Sequence, residues 1–494
     1  VGEDYYIVTS TFEYFPGVPI FHSKDLVNWR QIGHVLTRPG QLPLAGVKSS
    51  KGIFAPTLRY HEGTFFMITT NMEAGGSFFV TAKDPAGPWS DPIWLQEEMP
   101  SMDPSLFFDD DGTVYYTRHG GGRHGAIFQQ TIDLSTGELS PPAPRKLWEG
   151  TGDIWPEGPH LYKKDGVYYL MISEGGTSYE HMVTIARSNS PWGPFESHPR
   201  NPIITHRYKP KHSIQAVGHS DFVTTPDGHW FMTLLAIRPS VGKFHHLGRE
   251  TYLVPVTWKE GWPVVNGGKP VEERTSALGL PSAHLWPTQP SQVDFNAPLG
   301  FEWNYLRNPD MSAYSLSERP GTLRLKGSEF TLDDRASPTF VGRRQRVYNT
   351  KVSVEVEFAP TQEGQEAGLV VRSSEDNHYD LLIQKKGKQR VVVLRTKVLG
   401  GNERAEVKVQ AQVAVSDGPL QLSIVSKRET WEFFVTEPGK DALSLGTAPT
   451  QPFSSEYRIE FTGAYYGLYA SSGGKKTTNM PPADFNWFEY IELD

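Results

Sequence analysis

The sequence predicts an all-β protein, a five-bladed β-propeller followed by an antiparallel β-sandwich. Three observations predict it. Short runs of β-branched and aromatic residues follow acidic-Gly turns and recur about 50–60 residues apart, the length of a propeller blade. Helical periodicity is hard to find anywhere in the chain. Beyond a Gly- and Pro-rich stretch the pattern changes to strict polar/apolar alternation, which suits strands with one buried face. The rival architecture for the first part, a sandwich with chance Asp-Gly hairpins, leaves the recurrence unexplained.

The repeat is read from its turns. Glu62-Gly63 precedes Thr64-Phe65-Phe66-Met67-Ile68, and Asp111-Gly112 precedes Thr113-Val114-Tyr115-Tyr116. Asp165-Gly166 precedes Val167-Tyr168-Tyr169-Leu170, and Asp227-Gly228 precedes His229-Trp230-Phe231-Met232. A further copy, Gly2-Glu3-Asp4 before Tyr5-Tyr6-Ile7-Val8, opens the chain. Units close on motifs such as Asp25-Leu26-Val27-Asn28-Trp29, Gly87-Pro88-Trp89-Ser90 and Gly193-Pro194-Phe195-Glu196. Five copies place five blades in residues 1–268. Gly267, Gly268, Pro270, Pro281, Pro287 and Pro290 then mark a linker over 269–292. Residues 293–494 alternate as in Lys351-Val352-Ser353-Val354-Glu355-Val356, with further strands around Gly368-Leu369-Val370-Val371-Arg372 and Arg390-Val391-Val392-Val393-Leu394. That is the pattern of a sandwich with one face of each sheet buried.

Composition narrows the function. The 494 residues are 37% hydrophobic and 12% aromatic, enough for large cores. Net charge is −8 and the 48 basic residues are spread evenly, so no stripe suggests a nucleic acid. No run of about 18 apolar residues suggests a membrane span. The absence of cysteine excludes disulfides, thiol catalysis, Fe–S clusters and Cys-ligated zinc, and does not fix a compartment. The chain opens on Val1 without a leader-like segment, so its beginning is expected to lie upstream.

Counting back from the turns finds the chemistry. Eight residues before Asp111 stands Asp103; the same count before Asp165 reaches Glu157, before Asp227 His219 and before Glu62 Phe54. The first strand of each blade lines the central channel, so these positions converge on one pocket. Two carboxyls, a histidine and aromatic walls suit cleavage of a glycosidic bond. Taken singly, Asp103 reads as a turn acid before Pro104, His219 as a satisfied interior histidine and Phe54 as core packing. The shared register is what favours a site. Other motifs carry less: the consecutive acids Asp109-Asp110-Asp111 lack the spacing of a calcium loop, His245-His246 lacks a second ligand pair, and Gly120-Gly121-Gly122 opens no helix.

At these residues the sequence resembles glycoside hydrolase family 43, five-bladed propeller enzymes that include β-xylosidases and α-L-arabinofuranosidases. The resemblance is carried by Thr9-Ser10-Thr11-Phe12-Glu13-Tyr14-Phe15-Pro16-Gly17-Val18-Pro19-Ile20, Met102-Asp103-Pro104-Ser105, Pro156-Glu157-Gly158-Pro159-His160, Glu174-Gly175-Gly176-Thr177-Ser178-Tyr179 and Leu247-Gly248-Arg249-Glu250-Thr251. In the second part, Trp303-Asn304-Tyr305-Leu306-Arg307-Asn308-Pro309 resembles the concanavalin-like sandwich of the xylosidase branch.

The resemblance implies inverting, exo-acting hydrolysis that releases xylose from β-1,4-xylooligosaccharides, with arabinofuranosidase activity or a non-catalytic sugar-binding propeller as alternatives. It implies Glu157 as general acid, Asp103 as the neighbour that raises its pKa, and Arg249 as a contact to sugar and base. Phe12, Phe54 and Thr177 would line the subsite of the cleaved residue, Phe54 standing where a Trp is more usual. His219 matches a channel histidine often found beside calcium or another cation; no cofactor is required. Tyr465 falls where some relatives use a sandwich Phe to narrow the pocket mouth. Xylo- or arabino-oligosaccharide is the expected partner, and a homo-oligomer is left open.

One family element has no counterpart. The general base is an Asp in an Asn-Pro-Asp-Pro-Ser-like motif of the first blade, and its usual spacing from Tyr5-Tyr6 places it about six residues before Val1. Eight residues before Glu3 also falls off the chain. Asn308-Pro309-Asp310 lies in the sandwich and matches a different motif. Residues 1–494 are therefore expected to lack the base and to be impaired by ~10²–10⁴-fold as written.

Overall fold

The computed structural model describes all residues except 275–276, 400–404, 458–459, 477–478 and 494. Regular structure among the described residues is strand, with helix confined to three-residue 3-10 turns. No helix among them is long and apolar enough to cross a membrane.

Five antiparallel sheets form the propeller. Four have at least four strands and begin on Thr57–His61, Ser101–Phe108, Glu157–Lys164 and Gln215–Thr224, the strands nearest the axis. The acidic-Gly pairs turn each of these into its second strand. Glu62 and Gly63 (φ 45° and 75°) and Asp165 and Gly166 (52° and 79°) both take positive φ, as tight hairpins require. Apolar clusters fill the spaces between successive blades, for example Tyr169, Met171, Val183, Met232, Leu234 and Val254 between the fourth and fifth.

The first blade differs. Its sheet holds three strands, Tyr5–Val8, Gly17–Ser23 and Trp29–Leu36. Among the described residues Tyr5–Val8 pairs on one side only, with Gly17–Ser23, and its residues line the large central cavity. The stretch read as a linker is a strap. Ala277 and Leu280 pack on Tyr5, Leu26 and Phe231, joining the fifth blade to the first. His284 N then donates to Asp25 Oδ2 at 2.7 Å, Trp286 Nε1 donates to Asn28 O at 3.1 Å, and Arg30 stacks 4.0 Å over Trp286.

The sandwich has two large antiparallel sheets around a core that includes Val352, Val354, Val356, Leu369, Val371, Trp431 and Phe485. The expectation of one buried face per strand fails for Glu366–Ser374, which is buried along its whole length. Ala367, Leu369 and Val371 face the core, while Val370 joins Tyr14, Leu306, Phe340, Tyr465 and Tyr469 on the other side. The propeller covers that second face. It even donates a strand: Tyr14–Phe15, from the first blade, pairs with Asn304–Leu306 at the edge of the sandwich sheet.

Candidate active site

Three axial strands are bulged where they enter the cavity. Asp103-Pro104, Gly158-Pro159 and His219-Ser220 are each squeezed opposite a single residue of the neighbouring strand. Such bulges re-aim side chains. The leading residue is left-handed in each case, with φ of 53° at Asp103, 59° at Gly158 and 51° at His219. Equal sequence offset is thus not equal geometry: in the fourth blade the left-handed position is Gly158, and Glu157 sits just before it. Glycine suits that position, because a Cβ on Gly158 would press on the His219 ring, 3.0 Å from its Cε1.

The strands bring Asp103, Glu157 and His219 together. Asp103 Oδ2 lies 3.2 Å from His219 Nε2 and accepts from Gly158 N at 3.3 Å. His219 N donates to Ser173 Oγ at 2.6 Å, which holds the bulge. Burial pushes Asp103 upward, but the His219 charge and hydrogen bond bring it below its ordinary value. His219 is desolvated too, yet Asp103 holds its pKa above normal. Glu157 moves the other way, up to about 8, because it is buried and because Asp103 is negative; His219 and Arg249 offset this only in part. Two carboxyls with separated proton affinities are the signature of an acid and its ionised neighbour.

Aromatic rings complete the wall. Phe12, itself at φ 51°, stacks on Phe461 with centroids 5.6 Å apart and meets Phe54 edge-on at 5.5 Å. The Arg249 guanidinium lies 5.2 Å from both the Phe12 and Phe461 rings, and its Nη2 donates to Ser10 Oγ at 3.2 Å. Burial brings its pKa down to about 10, so it remains a cation. Phe12, Asp103, His219, Arg249 and Phe461 line a cavity of about 2040 Å³ that continues along Tyr5–Val8. Phe54 is half-buried and meets both Phe12 and Phe461 edge-on, at 5.5 and 6.1 Å. Thr177 lies half-buried on the neighbouring loop, beside Gly176, whose Cα face packs on Trp155.

The sandwich contributes Phe461 to the aromatic clamp, a residue the sequence reading did not single out. Tyr465 also borders the cavity, but its ring is stacked on Tyr14 at 4.0 Å and is not part of the clamp around Arg249. Phe461 reaches the site because two loops meet backbone to backbone: a Cβ on Gly248 would lie 2.5 Å from Gly463 N, and one on Gly463 would lie 2.1 Å from Leu247 O. That pair of glycines was the available signal, and no periodicity marks it.

The channel beneath does not fit a calcium ion. His219 Nε2 is engaged by Asp103, and the next layer already holds a cation. Arg59 pairs with Asp221 at 2.8 Å and reaches His160 Nδ1 at 2.9 Å, while Tyr162 OH also donates to Asp221. Among the described residues no group of three or more His, Cys, Asp or Glu is placed to hold a metal.

An axial pair of unlike carboxyls, Asp103 in the wall and Glu157 buried beside it, with an arginine and aromatic rings around a propeller pocket, is the apparatus of a glycoside hydrolase. The comparisons agree. Residues 1–263 match the model of glycosyl hydrolases family 43, and residues 292–491 match the β-xylosidase C-terminal concanavalin A-like domain. The chain belongs to glycosyl hydrolases family 43. It is 46% identical over 500 residues to the non-reducing end α-L-arabinofuranosidase BoGH43B of Bacteroides ovatus, covering 100% of this chain and 92% of that protein. It is 40% identical over 512 residues to a xylosidase/arabinosidase of Butyrivibrio fibrisolvens, with coverage of 100% and 96%. Among solved structures, the xylan β-1,4-xylosidase of Bacillus halodurans superposes with a TM-score of 0.93 at 36% identity, covering 100% of this chain and 97% of that one.

Proposed function

We propose that the protein is an inverting exo-glycosidase that removes single pentose units from non-reducing ends, accepting terminal β-xylose and α-L-arabinofuranose. The observation that carries this reading is Glu157, a buried carboxyl held protonated to about 8 next to the ionised Asp103. In that state Glu157 donates its proton to the leaving glycosidic oxygen. Asp103, pinned by His219 and Gly158 N, adds its charge to the burial that keeps the acid protonated until the bond breaks. Arg249, held between Phe12 and Phe461, offers its donors to the sugar hydroxyls. The two pentoses are supported by different relatives, arabinofuranose by the protein at 46% identity and xylose by the β-1,4-xylosidase structure.

Inversion also needs a carboxylate that activates water on the opposite face of the ring. Three acids of the cavity wall are engaged elsewhere: Asp221 with Arg59, Asp4 with His22 and Lys24, and Glu250 with Arg238. On this reading, residues 1–494 alone turn over slowly. Glu157→Gln tests the acid assignment. It lowers kcat/KM on xylobiose by ~10²–10⁴-fold and affects 4-nitrophenyl pentosides, whose leaving group needs little protonation, much less. Equal losses on both substrates, or none, reject Glu157 as the acid.

A further inference from the structure

A network of buried polar contacts runs from the sandwich to the aromatic wall, and Glu13 is its direct link between Arg372 and Ser50, beside a second path through Ser49 and Glu375. Its side chain is completely buried, as is that of Arg372 on the sandwich strand Glu366–Ser374. Arg372 Nη1 donates to Glu13 Oε1 at 3.4 Å and to Tyr14 OH at 3.2 Å, and its Nη2 donates to Ser49 Oγ at 3.0 Å. The other carboxylate oxygen of Glu13 accepts from Ser50 N at 2.9 Å, and Ser50 Oγ accepts from Phe461 N at 2.9 Å. Through its backbone, Glu13 O accepts from Arg307 N at 2.7 Å. Phe12 is the preceding residue, tied to Ile53 by two backbone hydrogen bonds of 2.9 and 3.0 Å.

Glu13 therefore touches both halves of the clamp around Arg249: Phe12 by the peptide bond and Phe461 through Ser50. Both connecting residues are left-handed, Phe12 at φ 51° and Ser50 at 63°, so neither loop rests in a relaxed conformation by itself. A buried ion pair is a weak source of stability compared with well-packed apolar side chains. Its directional bonds, however, fix a distance that packing alone leaves loose.

We propose that Glu13 is a positioning residue, which, by bridging Arg372 to Ser50, sets the spacing of Phe12 and Phe461 and hence the affinity of the pocket for a pentose. The inference rests on the pentoside reading above. Its test is calorimetric titration of the full chain with D-xylose and L-arabinose, which needs no turnover. Glu13→Gln weakens binding by about tenfold, since a charged acceptor is lost from two bonds. Ser50→Ala breaks only the link to Phe461 and weakens binding in the same direction. In a Phe461→Ala background, Glu13→Gln costs clearly less than it does in the unaltered protein, because its route through Ser50 is already cut and only the one through Phe12 remains.

Binding by Glu13→Gln within about twofold of the unaltered protein, or a full additive loss in the double variant, overturns the proposal. Should Glu13→Gln fail to fold, unchanged affinity in Ser50→Ala overturns it instead. If the unaltered chain binds neither sugar, the pentoside reading falls first, and this inference with it.

Discussion

Replacing Asp103 by Asn separates the two causes that raise Glu157. The substitution deletes the neighbouring charge but leaves an oxygen for Gly158 N and His219. Burial ranks ahead of Asp103 in holding Glu157 at about 8. His219 in turn owes its raised pKa to Asp103, so the variant weakens a nearby cation as it removes an anion. The two changes oppose each other at Glu157. Its midpoint is expected to fall by less than about one pH unit, on the order of 1 kcal/mol, and to stay far above its ordinary value. The measurement is an infrared titration of the protonated carboxyl band between about pH 4 and 10, taken as the difference from Glu157→Gln. The alkaline limb of kcat/KM should move with it. A midpoint that collapses to the ordinary value of 4.5 would show that the Asp103 charge, not burial, keeps the acid protonated. A midpoint that rises would refute the like-charge reasoning outright.

The same shift has a stability consequence with a definite sign. A carboxyl raised from 4.5 to about 8 on folding contributes stability that is complete below 4.5 and lost as pH climbs through about 8. Glu157→Gln removes that loss, so its unfolding free energy should exceed the parent's at pH 9 but not at pH 5, by a ceiling of roughly 5 kcal/mol, and its Tm should follow; equal pH dependence of the two proteins contradicts the assignment. Sodium azide should accelerate turnover of 4-nitrophenyl pentosides by residues 1–494 and yield the inverted glycosyl azide, since an anion attacks without a base; unchanged rates would place a working base within these residues. Phe461→Ala should raise KM by about tenfold while the protein remains folded, as loss of an aromatic contact at a binding wall does; an unchanged KM would remove Phe461 from the pocket. Millimolar calcium or a chelator should leave Tm within about 1 °C, because Arg59 already neutralises Asp221; a clear calcium-dependent rise would reopen the channel as a metal site.

Much of the site was legible because a propeller converts sequence period into angular position. Asp103, Glu157 and His219 share an offset from their hairpins, and that offset sufficed to gather them on the axis. It did not show that each axial strand is bulged, nor that the left-handed position falls on Gly158 instead of Glu157. Those details depend on pairing between strands, which one-dimensional counting does not resolve. Phe461 was missed in favour of Tyr465 for a related reason: its entry depends on the approach of Gly248 to Gly463, a contact between segments more than two hundred residues apart. The strand Glu366–Ser374 misled in another way. Its outer face is polar enough to look solvated, yet Arg372 and Glu366 there are buried against paired charges.

The pairing of Tyr14–Phe15 with Asn304–Leu306 has an engineering consequence. A chimera made by cutting between the two units would sever a shared sheet and strip the binding wall of an aromatic ring. Substrate preference in such a molecule belongs to the junction, so exchanging sandwiches among relatives should rewrite selectivity even when every residue of the propeller is retained.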